Sequence, residues 1–194
     1  MSTNFWFVRH GPTRATGAIG WTDLDADLSD AARLSALSTA LPKDAVILSS
    51  DLTRASKTAD AIADGRQRLS HDARFREIHF GAWEGRDFEE IGAKEPELLQ
   101  AYWDTPGDVS PPGGESWNDL TTRVSNGLMD MTGSTHKNII CVAHFGVILA
   151  AISLARAISA EAIMGFKIDP LSVTHLEHLP KSDAWRIHRV NHIP

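Results

Sequence analysis

Cysteine is nearly missing from this chain. One residue, Cys141, in 194 leaves no intrachain disulfide and nothing that points to an oxidising compartment. It also excludes the cysteine-phosphatase arrangement, which needs arginine six positions after the thiol; Val147 stands there, and Cys141 is expected in the core. Basic charge is scarce. Lys and Arg number 19 against 25 Asp and Glu, a net charge of −6, so a nucleic acid or an anionic membrane is not an expected partner. A local cluster of Arg and His can still bind a small anion. No apolar run reaches the roughly 18–20 residues that cross a bilayer; residues 147–154 suit a core helix. Residues 1–4 lead directly into a strand, with no basic leader region. A cytoplasmic protein is expected. No Gly-x-x-x-x-Gly-Lys nucleotide loop is present. Metal ligands are not grouped: His175 and His178 are three apart, which in a strand places them on opposite faces, so no metal and no cofactor is expected. There is no internal repeat and no linker, and residues 1–194 fit one domain.

What the chain does have is alternation of strands and helices. The apolar run Phe5-Trp6-Phe7-Val8 reads as a buried strand that ends in Arg9-His10-Gly11-Pro12. Ser29 is expected to cap a helix over 30–41, stopped by Pro42. Ala45-Val46-Ile47-Leu48 reads as a second strand, and Ser49-Ser50-Asp51 as the capping cluster for a helix over 52–63 closed by Gly65. Residues 75–80 alternate and suggest a short third strand. Residues 87–103 read as one or two short helices bounded at Pro96, and 105–114 as a loop. Glu115 or Ser116 opens an amphipathic helix to 131. Asn138-Ile139-Ile140-Cys141-Val142-Ala143 is a strong buried strand, followed by His144 and a helix over 147–158, then a short helix over 161–166. Residues 172–179 and 184–190 read as an antiparallel pair around the turn 180–183. The pattern predicts an α/β fold, a sheet with helices on both faces.

Three of these strands lead to unusual polar residues: Arg9 and His10, Arg54, and His144. If the strands are neighbours in one parallel sheet, these side chains meet at its C-terminal edge, where α/β folds bind ligands. Two guanidiniums and two imidazoles make an anion site, since arginine's fork matches phosphate oxygens. The helix that begins at Phe145 adds N–H groups and the positive end of its dipole. Arg9 has a second reading, a structural ion pair with an aspartate. In an extended strand Arg9 and His10 point to opposite faces, so both reach one phosphate only if Gly11-Pro12 turns the backbone.

Arg9-His10-Gly11, Ser49-Ser50-Asp51-Leu52-Thr53-Arg54-Ala55, Glu77 with Phe80-Gly81-Ala82-Trp83-Glu84-Gly85, and Ala143-His144-Phe145-Gly146 occur in that order. The set resembles the histidine phosphatase superfamily, also called phosphoglycerate mutase-like. The resemblance implies a three-layer α/β/α sandwich with a mixed, mostly parallel central sheet. It implies that His10 is a nucleophile forming phosphohistidine. It further implies that Arg9, Arg54 and His144 hold the transferring phosphoryl group, and that Glu77 is the acid for the leaving oxygen and then the base for water. Thr16 stands where many members carry Asn; its hydroxyl is a candidate phosphate contact. Trp21 and Thr22 lie in the loop that resembles the one over the phosphate. There Trp21 either walls off substrate or packs within the loop. Glu115 either sits near the substrate or serves only the helix start, and Phe145 is a candidate substrate contact. Trp83-Glu84-Gly85 and Pro112-Gly113-Gly114-Glu115-Ser116 are similar to the phosphatase branch, with α-ribazole phosphatase and fructose-2,6-bisphosphatase-like members.

The activity so implied is metal-independent hydrolysis of a small phosphorylated metabolite. The alternatives are a phosphoglycerate mutase and a non-catalytic phosphate binder. Tryptophan and few basic residues in 17–23 and 81–117 lean towards an apolar or ring-shaped leaving group. Oligomeric state is not legible.

Overall fold

The computed structural model describes residues 2–194. Its first strand, β1 (Thr3–Arg9), sends Phe5 and Phe7 to one side and Trp6 and Val8 to the other, and each side meets its own apolar cluster. That two-sided burial is what a continuous apolar run demands of a strand. β2 (Val46–Ser49) and β3 (Asn138–Ala143) divide in the same way: Val46, Leu48, Ile139 and Cys141 lie on the first side, Ile47, Ile140 and Val142 on the second. β4 (Val173–Leu179) and β5 (Ala184–His192) complete a five-stranded sheet of order β2-β3-β1-β4-β5. β1, β2 and β3 pair in parallel, whereas β4 is antiparallel to both β1 and β5. One strand of five therefore runs against the rest, the mixed, mostly parallel sheet expected.

Helices cover both faces. α1 (Ala31–Ala40) and α2 (Thr53–Ala61) bury Leu34, Leu37, Ala55 and Ala59 against the Val8 side. α3 (Phe88–Lys94), α4 (Pro96–Asp104), α5 (Trp117–Thr132), α6 (Phe145–Arg156) and α7 (Ala160–Ile163) contribute to the Phe7 side. α6 is the central helix of that layer, with Gly146 to Ser153 all buried. Fully burying one large aliphatic side chain there contributes roughly 1.5–3 kcal/mol. Pro96 does divide α3 from α4, at the first position of α4, where its missing N–H costs nothing. Ser116 caps α5 in a reciprocal box with Asp119. No helix among the described residues is long and apolar enough to cross a membrane.

Three local expectations need correction. Asp30, not Ser29, caps α1 by accepting from Arg33 N; Ser29 donates instead to Asp27. The Ser49-Ser50-Asp51 cluster does not cap α2. Asp23, from a distant loop, accepts from Thr53 N at 2.7 Å and from its hydroxyl at 2.6 Å. Ser49, Ser50 and Asp51 are instead engaged by His71, His144 and Arg76. Residues 75–80 are not a strand. They form the end of a 3-10 turn (Ala73–Phe75) and then an irregular crossing segment. The N–H groups of Ile78, His79 and Phe80 go to the carboxylates of Glu77, Glu115 and Glu84. A backbone whose donors are taken by side chains needs no sheet neighbour.

The parallel register brings the site together. Arg9 is level with Ala143, and Ser49 with Val142. One residue further on, His10 N donates to Ala143 O at 3.0 Å and Ser50 N to Val142 O at 3.2 Å. Residues 9–10, 50 and 144 thus leave the sheet at one edge.

Candidate active site

His10 stands at that edge, 7% exposed. Its Nδ1 is 2.7 Å from Gly11 O. A carbonyl only accepts, so Nδ1 carries the proton and Nε2 carries a lone pair. Nε2 has no partner among the described residues. Burial is the main cause that lowers the His10 pKa, followed by the Arg54 charge; the Gly11 bond opposes them and Arg9 adds a smaller push, leaving it at about 3. The ring is neutral at physiological pH. Gly11 keeps this turn close, since a Cβ there would stand 2.7 Å from Leu28 Cδ2, and its N–H donates to Thr58 Oγ1 at 3.0 Å.

Arg54, in the first turn of α2, is 1% exposed. Its guanidinium donates to Thr22 O at 2.9 Å and Gly20 O at 2.6 Å. Arg9 donates to Ile168 O at 2.6 Å, lies 5.4 Å from the Phe145 ring centroid, and has an unpaired buried Nε. Neither arginine forms an ion pair among the described residues, so the aspartate partner considered for Arg9 is not present. Burial lowers both guanidinium pKa values, with Glu77 the chief opposing charge; an arginine remains charged all the same. A buried and a half-buried cation held by carbonyls, neither paired with a carboxylate, favour an incoming anion.

His144 stands at the N-terminus of α6, without a side-chain capping bond, and is fully buried. Its ring centroid is 5.0 Å from that of His10, and Nε2 lies 2.7 Å from Ser50 Oγ. Nδ1 is buried without a partner. Burial, then the neighbouring His10 and Arg54, push its pKa well below the ordinary value.

Glu77 closes the group from the crossing segment, 7% exposed. Oε1 accepts from Ile78 N and Gly146 N, both at 3.0 Å, and Oε2 lies 3.2 Å from Gly146 N. The carboxylate therefore rests on the N-terminal turn of α6, which favours negative charge. Only a residue without a side chain permits this approach: a Cβ on Gly146 would meet Glu77 Oε1 at 2.5 Å.

The outer residues divide. Phe145 lies beneath Arg9. Thr22 touches the group through its carbonyl to Arg54, while its N–H and hydroxyl go to Glu84 Oε2. Trp21 packs within the structure: Nε1 donates to Glu77 O at 2.8 Å, and the ring lies tilted against His79 beneath the Arg76 guanidinium. Glu115 forms a bidentate pair with Arg123 and accepts from His79 N. Thr16 is exposed, its hydroxyl on Asp87 Oδ1 at 3.2 Å; the structure does not gather it with the others.

Two organising residues escaped sequence reasoning. Glu84 accepts from the N–H groups of Gly20, Trp21, Thr22 and Phe80 and from the Thr22 hydroxyl. Burial pushes its pKa up, but these bonds together hold it below the usual range. Arg123 donates to the carbonyls of Arg74, Arg76 and Glu77 and so fixes the crossing segment. Glu84 stands in the quoted Trp83-Glu84-Gly85 motif, which is a signal; Arg123 is one more charge on a helix and carries none. Among the described residues no group of three or more His, Cys, Asp or Glu side chains is placed to hold a metal ion.

A family model described as histidine phosphatase superfamily (branch 1) matches residues 5–193. Glucosyl-3-phosphoglycerate phosphatase of Mycolicibacterium vanbaalenii is 34% identical over 176 residues, covering 84% of this chain and 74% of that protein. A metal-independent phosphoserine phosphatase of Arabidopsis thaliana is 31% identical over 187 residues, covering 90% and 76%. The structure of a mycobacterial glucosyl-3-phosphoglycerate phosphatase with inorganic phosphate superposes with a TM-score of 0.83 at 26% identity, over 98% of this chain and 99% of that one.

Proposed function

This chain belongs to the histidine phosphatase superfamily and is a phosphoric monoester hydrolase; from that premise we propose that it works through a phosphohistidine on His10, without a metal. The observation that carries the reading is the tautomer of His10. With Nδ1–H committed to Gly11 O, the lone pair on Nε2 is free beside two arginines that lack carboxylate partners.

In this reading Nε2 attacks phosphorus in line as the ester P–O bond breaks. Arg9, Arg54 and His144 hold the equatorial oxygens, where negative charge gathers in the transition state. Glu77 enters this step in its acid form, gives its proton to the departing alcohol oxygen and is left as the carboxylate. Water then enters; Glu77 takes its proton, the oxygen attacks the phosphohistidine, and inorganic phosphate leaves with Nε2 restored. A protein that only binds phosphate has no use for a carboxyl group in this place. The metal independence named for the Arabidopsis relative supports the same reading. The relatives' names put different alcohols on the phosphate, so family membership leaves the alcohol open.

His10→Ala is the direct test. Hydrolysis of p-nitrophenyl phosphate should fall by about a thousandfold or more, the loss typical of removing a nucleophile. Radiolabelled phosphate from a labelled ester should be trapped on the wild-type chain as an acid-labile adduct and be absent from the variant. EDTA should leave turnover unchanged. A His10→Ala enzyme within tenfold of wild type ends the phosphohistidine mechanism.

A further inference from the structure

A cavity of about 250 Å³ opens beside Arg9 and Glu77. Past those two charges its walls are Phe80, Phe88, Tyr102, Trp103, Trp117 and Phe145, and the remaining lining is aliphatic, methionine, glycine or proline. No lysine, no histidine, and no arginine or carboxylate other than Arg9 and Glu77 faces it among the described residues. Four of these rings form a chain of edge-to-face contacts, Phe80 on Phe88 at 6.1 Å, Phe88 on Trp103 at 5.5 Å and Tyr102 on Trp103 at 5.2 Å between centroids. Burial raises the Tyr102 phenol above its ordinary pKa, so its hydroxyl stays neutral as well.

We propose that this cleft seats the alcohol half of the substrate and selects a neutral, ring-bearing phosphomonoester over one whose alcohol carries a carboxylate or an ammonium. The inference rests on the hydrolytic reading of the adjoining phosphate site. Both charges of the cleft lie at its phosphate end, and in that reading they are committed to the phosphoryl group and the leaving oxygen. A further charge on the alcohol would lose its water and gain no partner. A ring would gain apolar burial and aromatic edge contacts. The space suffices: an apolar cavity of about 150 Å³ already holds benzene.

Two measurements on the intact chain test this. The first is titration calorimetry with benzylphosphonate and with 2-amino-3-phosphonopropanoate, which are not hydrolysed. Benzylphosphonate should bind at least tenfold more tightly. The second is kcat/KM for benzyl phosphate, O-phosphoserine and 3-phosphoglycerate, with benzyl phosphate favoured by at least tenfold. Trp103 is 43% exposed, at the rim, so Trp103→Arg should fold and should narrow the benzyl preference at least fivefold by admitting the carboxylates. Equal binding of the two phosphonates, or better turnover of either charged ester, overturns the proposal. If no ester is turned over, the hydrolytic reading falls alone, and the phosphonate ratio still decides what the cleft selects.

Discussion

A methyl group at position 146 would stand 2.5 Å from Glu77 Oε1 and 3.3 Å from Leu120 Cδ2. The nearer atom is the end of a buried carboxylate that would give up its bonds to Ile78 N and Gly146 N, a cost of roughly 1–3 kcal/mol, while alanine brings better helix propensity than glycine by about 1 kcal/mol. Gly146→Ala should therefore destabilise by no more than about 2 kcal/mol. Its effect should fall on chemistry, because a carboxyl displaced by about 1 Å from its working position costs on the order of a hundredfold in rate. Urea unfolding beside kcat separates the two; an unchanged kcat with a folded variant would remove Glu77 from the reaction. At this scale the sequence was most legible for Arg9, His10, Arg54, Glu77 and His144, whose side chains are the ones brought to a common edge. It was least legible for Thr16, Trp21 and Glu115. Each of these spends its polar group on a neighbour 36 to 71 positions away in the chain or on Arg123.

The loop 20–22 and the crossing segment 76–80 have no ladder of their own, and three carboxylates, those of Glu77, Glu84 and Glu115, replace it. Glu84 gathers four N–H groups and one hydroxyl, and the carbonyls of that same loop hold Arg54. Glu84→Gln turns one acceptor oxygen into a donor facing donors. The loss should be about 2–4 kcal/mol of stability, since each stranded buried group costs roughly 1–3 kcal/mol. With the Gly20 and Thr22 carbonyls loosened, inhibition by inorganic phosphate should weaken as well. A variant with wild-type melting and wild-type phosphate inhibition would show that the loop is held by other means. The alternation of 75–80 imitates a strand because Phe75, Ile78 and Phe80 are all buried. Of the carboxylates that satisfy its backbone, Glu77 and Glu84 are close in the chain, whereas Glu115 reaches His79 N from 36 positions away.

Buried histidines make the whole molecule sensitive to acid. An unfolded histidine titrates near 6.5, whereas in the folded chain burial holds His10 at about 3, His175 at about 4, and His144 well below its ordinary value. Between those values the unfolded chain takes up protons that the folded chain refuses. Stability is then complete above about pH 6.5 and declines as pH falls towards 3. The urea midpoint should drop steadily from pH 7.5 to pH 5.0, and His10→Ala should make that decline shallower. A midpoint flat over this range would mean that these rings are charged in the folded state. His175 lies between Trp6 and His188, stacked on both and half-exposed, so its share is reduced by solvent.

The amino-acid sequence by itself determined the strands β1, β2 and β3, the helix breaks at Pro42 and Pro96, and the polar residues that end the buried runs. Those features follow from burial periodicity and backbone chemistry acting over a few residues. Tertiary structure alone decided that β3 lies between β1 and β2, which levels His10, Ser50 and His144 at one edge. It also decided that Asp23 caps α2, that Glu84 and Arg123 hold the irregular segments, and that an uncharged aromatic cleft opens next to Arg9 and Glu77. The physical reason is range: a hydrogen bond between residues 30 or more positions apart, or a cavity walled by stretches from Arg9 to Met164, leaves no local period for a sequence to display. Arg9-His10-Gly11 can be read from the chain, but that His10 keeps its proton on Nδ1 depends on the turn that places Gly11 O beside it.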